Sequence, residues 1–212
     1  GHAAPRLSQA MRDRLYKAFG YTYEEVKEVI LPMARSGAEP TASMGADIPL
    51  AVLSDKHQPL FEYFRQLFAQ VTNPPIDAIR EKIVTDTAVY VGSDGNLLQD
   101  RPENCAVLRL EQPILSNGDL QRIKSSTRES LRAASVPMLY YRSETLEHAL
   151  NHLFVACDRA CKNGANVLIL TDRGVDENHV AIPSLLAVSA LEQHLIRTRR
   201  RTAVSVILET AD

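Results

Sequence analysis

The sequence predicts an α/β protein whose C-terminal half runs βαβαβ and whose N-terminal segment is helical. Three observations carry that prediction. Short apolar runs at 136–141, 167–171 and 203–209 alternate with two long stretches of helical periodicity at 144–162 and 183–197. Near the start, 8–19 and 22–33 repeat apolar residues at helical spacing behind Ser8 and Thr22. Composition is that of an ordinary folded chain, 45% hydrophobic and 24% charged over 212 residues. A βαβαβ run requires parallel strands with helices covering the sheet, and it suits either a doubly wound sheet or part of a β/α barrel.

Taken in order, the first helix carries Leu15 and Phe19 on one face and stops at Gly20. Thr22 opens the second with Glu25 three residues on, a capping-box pattern. Val26, Val29, Ile30 and Met33 supply its apolar face, and Pro32 is expected to kink it. Residues 1–37 are therefore expected to form a helical connector, with one main α/β domain over 38–212. Glu39-Pro40 begins a loop, because proline disfavours helical geometry in the residue before it. Thr41, Ser43, Met44, Gly45 and Asp47 follow as small or polar groups around a flexible glycine. Such a loop can present amides and hydroxyls to something small, or its Ser and Asp can simply cap the next element. Pro59 then starts an amphipathic helix with Phe61, Phe64, Leu67, Phe68 and Val71 on one face, and Asn73-Pro74-Pro75 ends it.

Further on, a short helix is expected over 78–84, strands over 88–91 and 107–110, and a turn at 93–96. Gly92 to Asn96 lacks both the lysine of a phosphate loop and the three-glycine spacing of a dinucleotide fingerprint. Asn117 is expected to cap a helix carrying Leu120 and Ile123. Ser143 or Glu144 opens the helix at 144–162, and Gly164 closes it.

Chemistry-bearing residues are few. Asp172 and Arg173 fall just past the C-terminal end of a parallel strand, where ligand-binding side chains sit in both architectures; they can hold an anion or tether the following loop. His148 and His152 are four apart, as are Cys157 and Cys161, and each pair has zinc-like spacing. The nine residues from His148 to Cys157 put the two pairs on nearly opposite helix faces, so no metal site is expected. Arg197 to Arg201 (RTRRR) complements a helix C-terminus or meets an acidic partner domain; without interleaved aromatics it does not point to nucleic acid. The net charge of −2 gives no pull toward nucleic acid or a membrane surface, and no apolar run approaches the ~20 residues of a spanning helix. Three cysteines fit a reduced, cytoplasmic setting. No dinucleotide loop, cluster-binding cysteine array or N-terminal cysteine nucleophile is present.

Several long segments carry a resemblance that spacing alone does not supply: SMGADIPLAVLSDK, PLFEYFRQLFAQVTNPPIDAIREK, residues 92–98, NCAVLRLEQPIL at 104–115, LILTDR at 168–173 and IPSLLAVSALEQHLIR at 182–197. The sequence resembles the central domain of the glutamate synthase large chain over most of its length. It departs from the family pattern at Ile48, where threonine is expected, and at Thr171, where serine is common. The Ile48 departure removes a hydroxyl from the polar loop.

The resemblance implies an incomplete, rudimentary β/α-barrel-like domain that is a non-catalytic part of a larger oxidoreductase acting in glutamate biosynthesis from glutamine and 2-oxoglutarate. It implies a glutamine amidotransferase domain before this segment and an FMN-binding synthase domain after it. FMN and an iron–sulfur cluster would belong to the parent enzyme, with none in this fragment, and a reductase subunit or ferredoxin would supply electrons. In that setting the loop of Thr41, Ser43, Met44, Gly45 and Asp47 is expected to line an ammonia route or the interface around it. A rigid interdomain scaffold and a free-standing small-molecule binder are the alternatives.

Overall fold

The computed structural model describes residues 7–38, 40, 53, 55, 59–64 and 78–212. The chain divides into two compact units, Pro5–Arg80 and Glu81–Ala211.

In the first unit, α1 (Gln9–Ala18) begins where the Ser8 hydroxyl accepts the Met11 N–H. It ends at Gly20, whose φ of 74° is left-handed. The Thr22–Glu25 capping box forms as expected and opens α2 (Tyr23–Glu25). Pro32 has no N–H, and in a regular α-helix its ring would meet the carbonyl four residues back. The chain accommodates it by widening the preceding turn, Val26–Ile30, into a π turn in which the Leu31 N–H reaches the Val26 carbonyl. It then resumes as α3 (Leu31–Ser36), closed by Gly37 at φ 66°. Val29, Ile30 and Met33 are exposed on these turns. Leu60–Phe64 forms a 3-10 turn with Phe61, Tyr63 and Phe64 exposed. The rest of the helix expected through Val71 lies outside the described residues.

Beyond it comes α4 (Ala78–Val84). In the second unit, β1 (Val89–Val91) pairs antiparallel with β2 (Leu108–Leu110). The expected turn at 93–96 is replaced by a tie to a distant segment: the Asp94 and Gly95 N–H groups both donate to the Thr202 carbonyl, at 2.9 and 3.2 Å. Those amides are therefore committed to the chain itself. The cap of α5 (Asn117–Lys124) is Ser116, one residue earlier than expected, because Ser116 and Asp119 form a reciprocal capping box.

The core is a three-stranded parallel sheet in the order β3 (Ala133–Pro137), β5 (Val167–Thr171), β7 (Ser205–Glu209). Between these strands lie α6 (Leu146–Lys162) and α7 (Ser184–Arg197), so the βαβαβ run is present. Among the described residues the sheet stays open and does not close into a barrel. All five β5 side chains are buried, and the twofold alternation of a strand sends the four apolar ones into two cores. Leu168 and Leu170 pack with Leu153, Cys157, Leu191 and Leu195 of α6 and α7. Val167 and Ile169 pack with Val91, Leu120 and Ile123, on the side of β1 and α5. Burying each of these large aliphatic side chains stabilises the fold by about 1.5–3 kcal/mol.

The strand expected over 136–141 is in fact two. β3 ends at Pro137, whose missing N–H falls on the open edge of the sheet, and Met138 N–H still bonds Thr171 O across the strand end. The chain then turns into β4 (Leu139–Tyr141), which leaves the main sheet and pairs antiparallel with β6 (His179–Ala181). α6 is capped by the Thr145 hydroxyl, which accepts the His148 N–H at 3.3 Å, and not by Ser143 or Glu144.

Candidate functional site

The loop residues Thr41, Ser43, Met44, Gly45 and Asp47 lie outside the described residues. Asp172 and Arg173 are described, and they sit where the sequence placed them, past the end of the buried central strand. Parallel pairing in register puts Thr171 beside Glu209 of β7, so the ends of β5 and β7 share one polar cluster. Asp172 is buried; its Oδ2 accepts from the Thr210 hydroxyl at 2.5 Å and the Ala211 N–H at 3.0 Å. Arg173 donates through Nε to Glu209 Oε1 at 2.5 Å, and Lys124 at the end of α5 donates to Glu209 Oε2 at 2.8 Å. The guanidinium also reaches Asn117 Oδ1 at 3.5 Å.

Glu209 is the centre of this cluster, and its role was not legible in the sequence. Burial alone would raise its pKa, but hydrogen bonds from Arg173, Lys124 and Thr171, together with the charge of Arg173, outweigh that and hold it at about 2. A carboxylate held so low does not exchange protons near neutral pH, so it is unsuited to general acid or base work. Two cations and two carboxylates balance, and each carboxylate is met by donors from another element. The arrangement ties the ends of two strands and α5 together. A cleft of about 720 Å³ runs along the open edge of β7 past this cluster, lined by Tyr90, Ile114, Ile207, Arg173 and Glu209 among others.

The remaining candidates sort by face. Cys157 is wholly buried in α6, and burial, helped by the nearby Cys161 and Asp158, pushes its thiol up to about 12. Cys105 is exposed in a separate turn, and all three cysteines are free. A thiol held protonated, on a helix away from Cys105, does not fit the thiolate set of an iron–sulfur cluster. His148 and His152 lie on the outer face of the same helix, two-thirds exposed. Of the arginine run, Arg200 pairs with Asp158 and Arg201 with Glu192, so both bind α6 and α7 within this unit. Among the described residues no helix is long and apolar enough to cross a membrane.

Comparison with known proteins gives the context that geometry leaves open. The family model of the glutamate synthase central domain matches residues 14–212. The chain is 47% identical over 196 residues to the glutamate synthase (NADPH) large chain of Bacillus subtilis, covering 92% of this chain and 13% of that one. It is 45% identical over 200 residues to ferredoxin-dependent glutamate synthase 2 of Synechocystis, covering 92% and 13%. A chloroplastic ferredoxin-dependent glutamate synthase of Spinacia oleracea is 43% identical over 204 residues, covering 93% and 12%. The chain thus spans about an eighth of the length of these relatives. With the family model matched over almost all of its length, the chain belongs to the glutamate synthase central domain family.

Proposed function

We propose that this domain is the spacer of a glutamate synthase, linking a glutamine amidotransferase domain to an FMN-binding synthase domain and helping to enclose the ammonia that passes between them. The observation that carries this is the coverage: nearly all of this chain aligns with relatives of which it makes up only 13%. The parent enzyme would make glutamate from glutamine and 2-oxoglutarate. Ammonia is protonated in bulk water at neutral pH and lost as a nucleophile, so a relay between two sites needs walls. The loop of Thr41, Ser43, Met44, Gly45 and Asp47 is assigned to that wall or to the interface around it.

Two features of the domain fit a spacer. The strand-end polar groups are paired with one another and form a brace. The turns carrying Val29, Ile30 and Met33 leave apolar side chains exposed, as expected of a connector that another part of the parent chain covers. The open parallel sheet is read as a rudimentary β/α barrel. The cysteines here do not fit a cluster, so the iron–sulfur cluster is assigned to other parts of the parent; FMN is assigned to the synthase domain, and this domain alone is expected to be inactive. Relatives named for NADPH and for ferredoxin both align, so either a reductase subunit or ferredoxin can serve as electron source. Free cysteines favour a reducing compartment such as the cytoplasm, while the spinach relative carries a chloroplast name.

Replacing Met44 with Trp in the complete glutamate synthase chain tests the route. Glutamine-dependent synthesis is expected to fall by about tenfold, with ammonia-dependent synthesis within about twofold of the parent. Equal loss of both, or no loss of either, would leave the domain as a rigid scaffold without a part in the route.

A further inference from the structure

We propose that Glu144, His148 and His152 form a binding site for a divalent transition-metal ion with a preference for imidazole, such as Zn²⁺. The three residues follow one another at four-residue steps. This spacing carries the two imidazoles onto one face of the first turns of α6. Glu144 precedes the cap Thr145, and its N–H bonds the Tyr141 carbonyl at 2.8 Å, which fixes the approach of the chain to the helix. Its carboxylate lies alongside the same face.

The two carboxylate–imidazole distances are those of ligands around a common ion. His148 Nδ1 stands 3.3 Å and His152 Nδ1 2.9 Å from Glu144 Oε1. Zinc bonds of about 2.0–2.2 Å separate two ligand atoms by about 2.9 Å at a right angle and about 3.4 Å at the tetrahedral angle. Both measured separations fall in that interval. One donor atom from each of the three residues lies within 4.8 Å of the others, and the imidazole planes are tilted 49° with centroids 4.8 Å apart. Both rings are exposed and free to turn the small amount that would bring them onto one ion.

An independent observation points the same way. Glu144 Oε1 is shielded from water and accepts no hydrogen bond, although two imidazole nitrogens stand so near it. A buried carboxylate oxygen in that state has lost its hydration without replacement, which a native structure rarely tolerates. A cation bound by it and by the two neutral imidazoles would supply the missing partner. Two nitrogens and one oxygen suit zinc, nickel or copper better than magnesium or calcium, which prefer all-oxygen shells. Three protein ligands leave at least one coordination position for water or for a group from another domain.

The test is titration of the 212-residue chain with ZnCl₂ at pH 7.5, followed by calorimetry and by the thermal unfolding midpoint. One ion per chain is expected, at micromolar concentration, with a raised midpoint. Because ligand imidazoles must be deprotonated, affinity should weaken sharply at pH 5.5. His152→Ala and Glu144→Gln should each weaken binding by at least about tenfold, since loss of a direct ligand should cost no less than loss of a supporting one. Both alter positions outside the packed core. Cys105→Ser should leave binding unchanged. Binding that survives the His148→Ala/His152→Ala double variant, or that requires millimolar zinc, would overturn the site.

Discussion

Glu209 and Glu144 are both carboxylates withdrawn from water at the end of a secondary-structure element, and they are treated in opposite ways. Glu209 closes β7 with Arg173 on one oxygen and Lys124 on the other, each delivered by a different element of the fold. Glu144 sits ahead of α6 with an oxygen that accepts nothing and two imidazoles of that helix beside it. Low local polarity strengthens a completed network and penalises an incomplete one. A closed cluster therefore reads as architecture. An open one marks a place where a partner from outside the chain fits.

The contrast can be broken most directly at Glu209. Glu209→Ala leaves Arg173 and Lys124 facing each other over a lost anion, and the chain should lose about 3 kcal/mol of stability in urea denaturation. A loss below about 0.5 kcal/mol would show that the cluster ties nothing together. The acid side sharpens the same point. Glu209 titrates at about 2 in the folded chain against an ordinary value of 4.5, so its folded pKa is depressed. The stability it contributes is complete above pH 4.5 and is lost as pH falls toward 2. Full protonation removes on the order of 3 kcal/mol. The acid-induced loss of stability between those values should shrink in Glu209→Gln; an unchanged profile would place the acid sensitivity elsewhere. At the other carboxylate, Glu144→Gln in chelator-treated buffer should change stability by no more than about 0.5 kcal/mol, because no donor is lost. A penalty as large as that of Glu209→Ala would mean that Glu144 is as much a brace as Glu209.

Much of the architecture was legible because it depends on short-range rules. The Thr22–Glu25 box and the glycine stops follow from local capping and steric preference. The alternation of β5 between two cores was not readable from its uninterrupted apolar run, since a strand buried on both faces gives no polar face to mark either side. The split of 136–141 into β3 and β4 was missed for a related reason. Both halves have strand composition, and only the arrival of β6 beside Leu139–Tyr141 shows that the chain changes partners there. The proposed metal site has a local signal, since Glu144, His148 and His152 share one four-residue step.

The sequence by itself determined the family, the βαβαβ order and the position of Asp172 and Arg173 at a strand end, because these rest on periodicity, capping and long matching segments. Tertiary structure alone decided which groups those two residues meet. Glu209 is 36 residues from Arg173 and 85 from Lys124 in sequence, and only parallel pairing of β5 with β7 and packing of α5 beside them bring the three charges within hydrogen-bonding distance. A carboxylate's partners are set by distance in space, which no local pattern encodes.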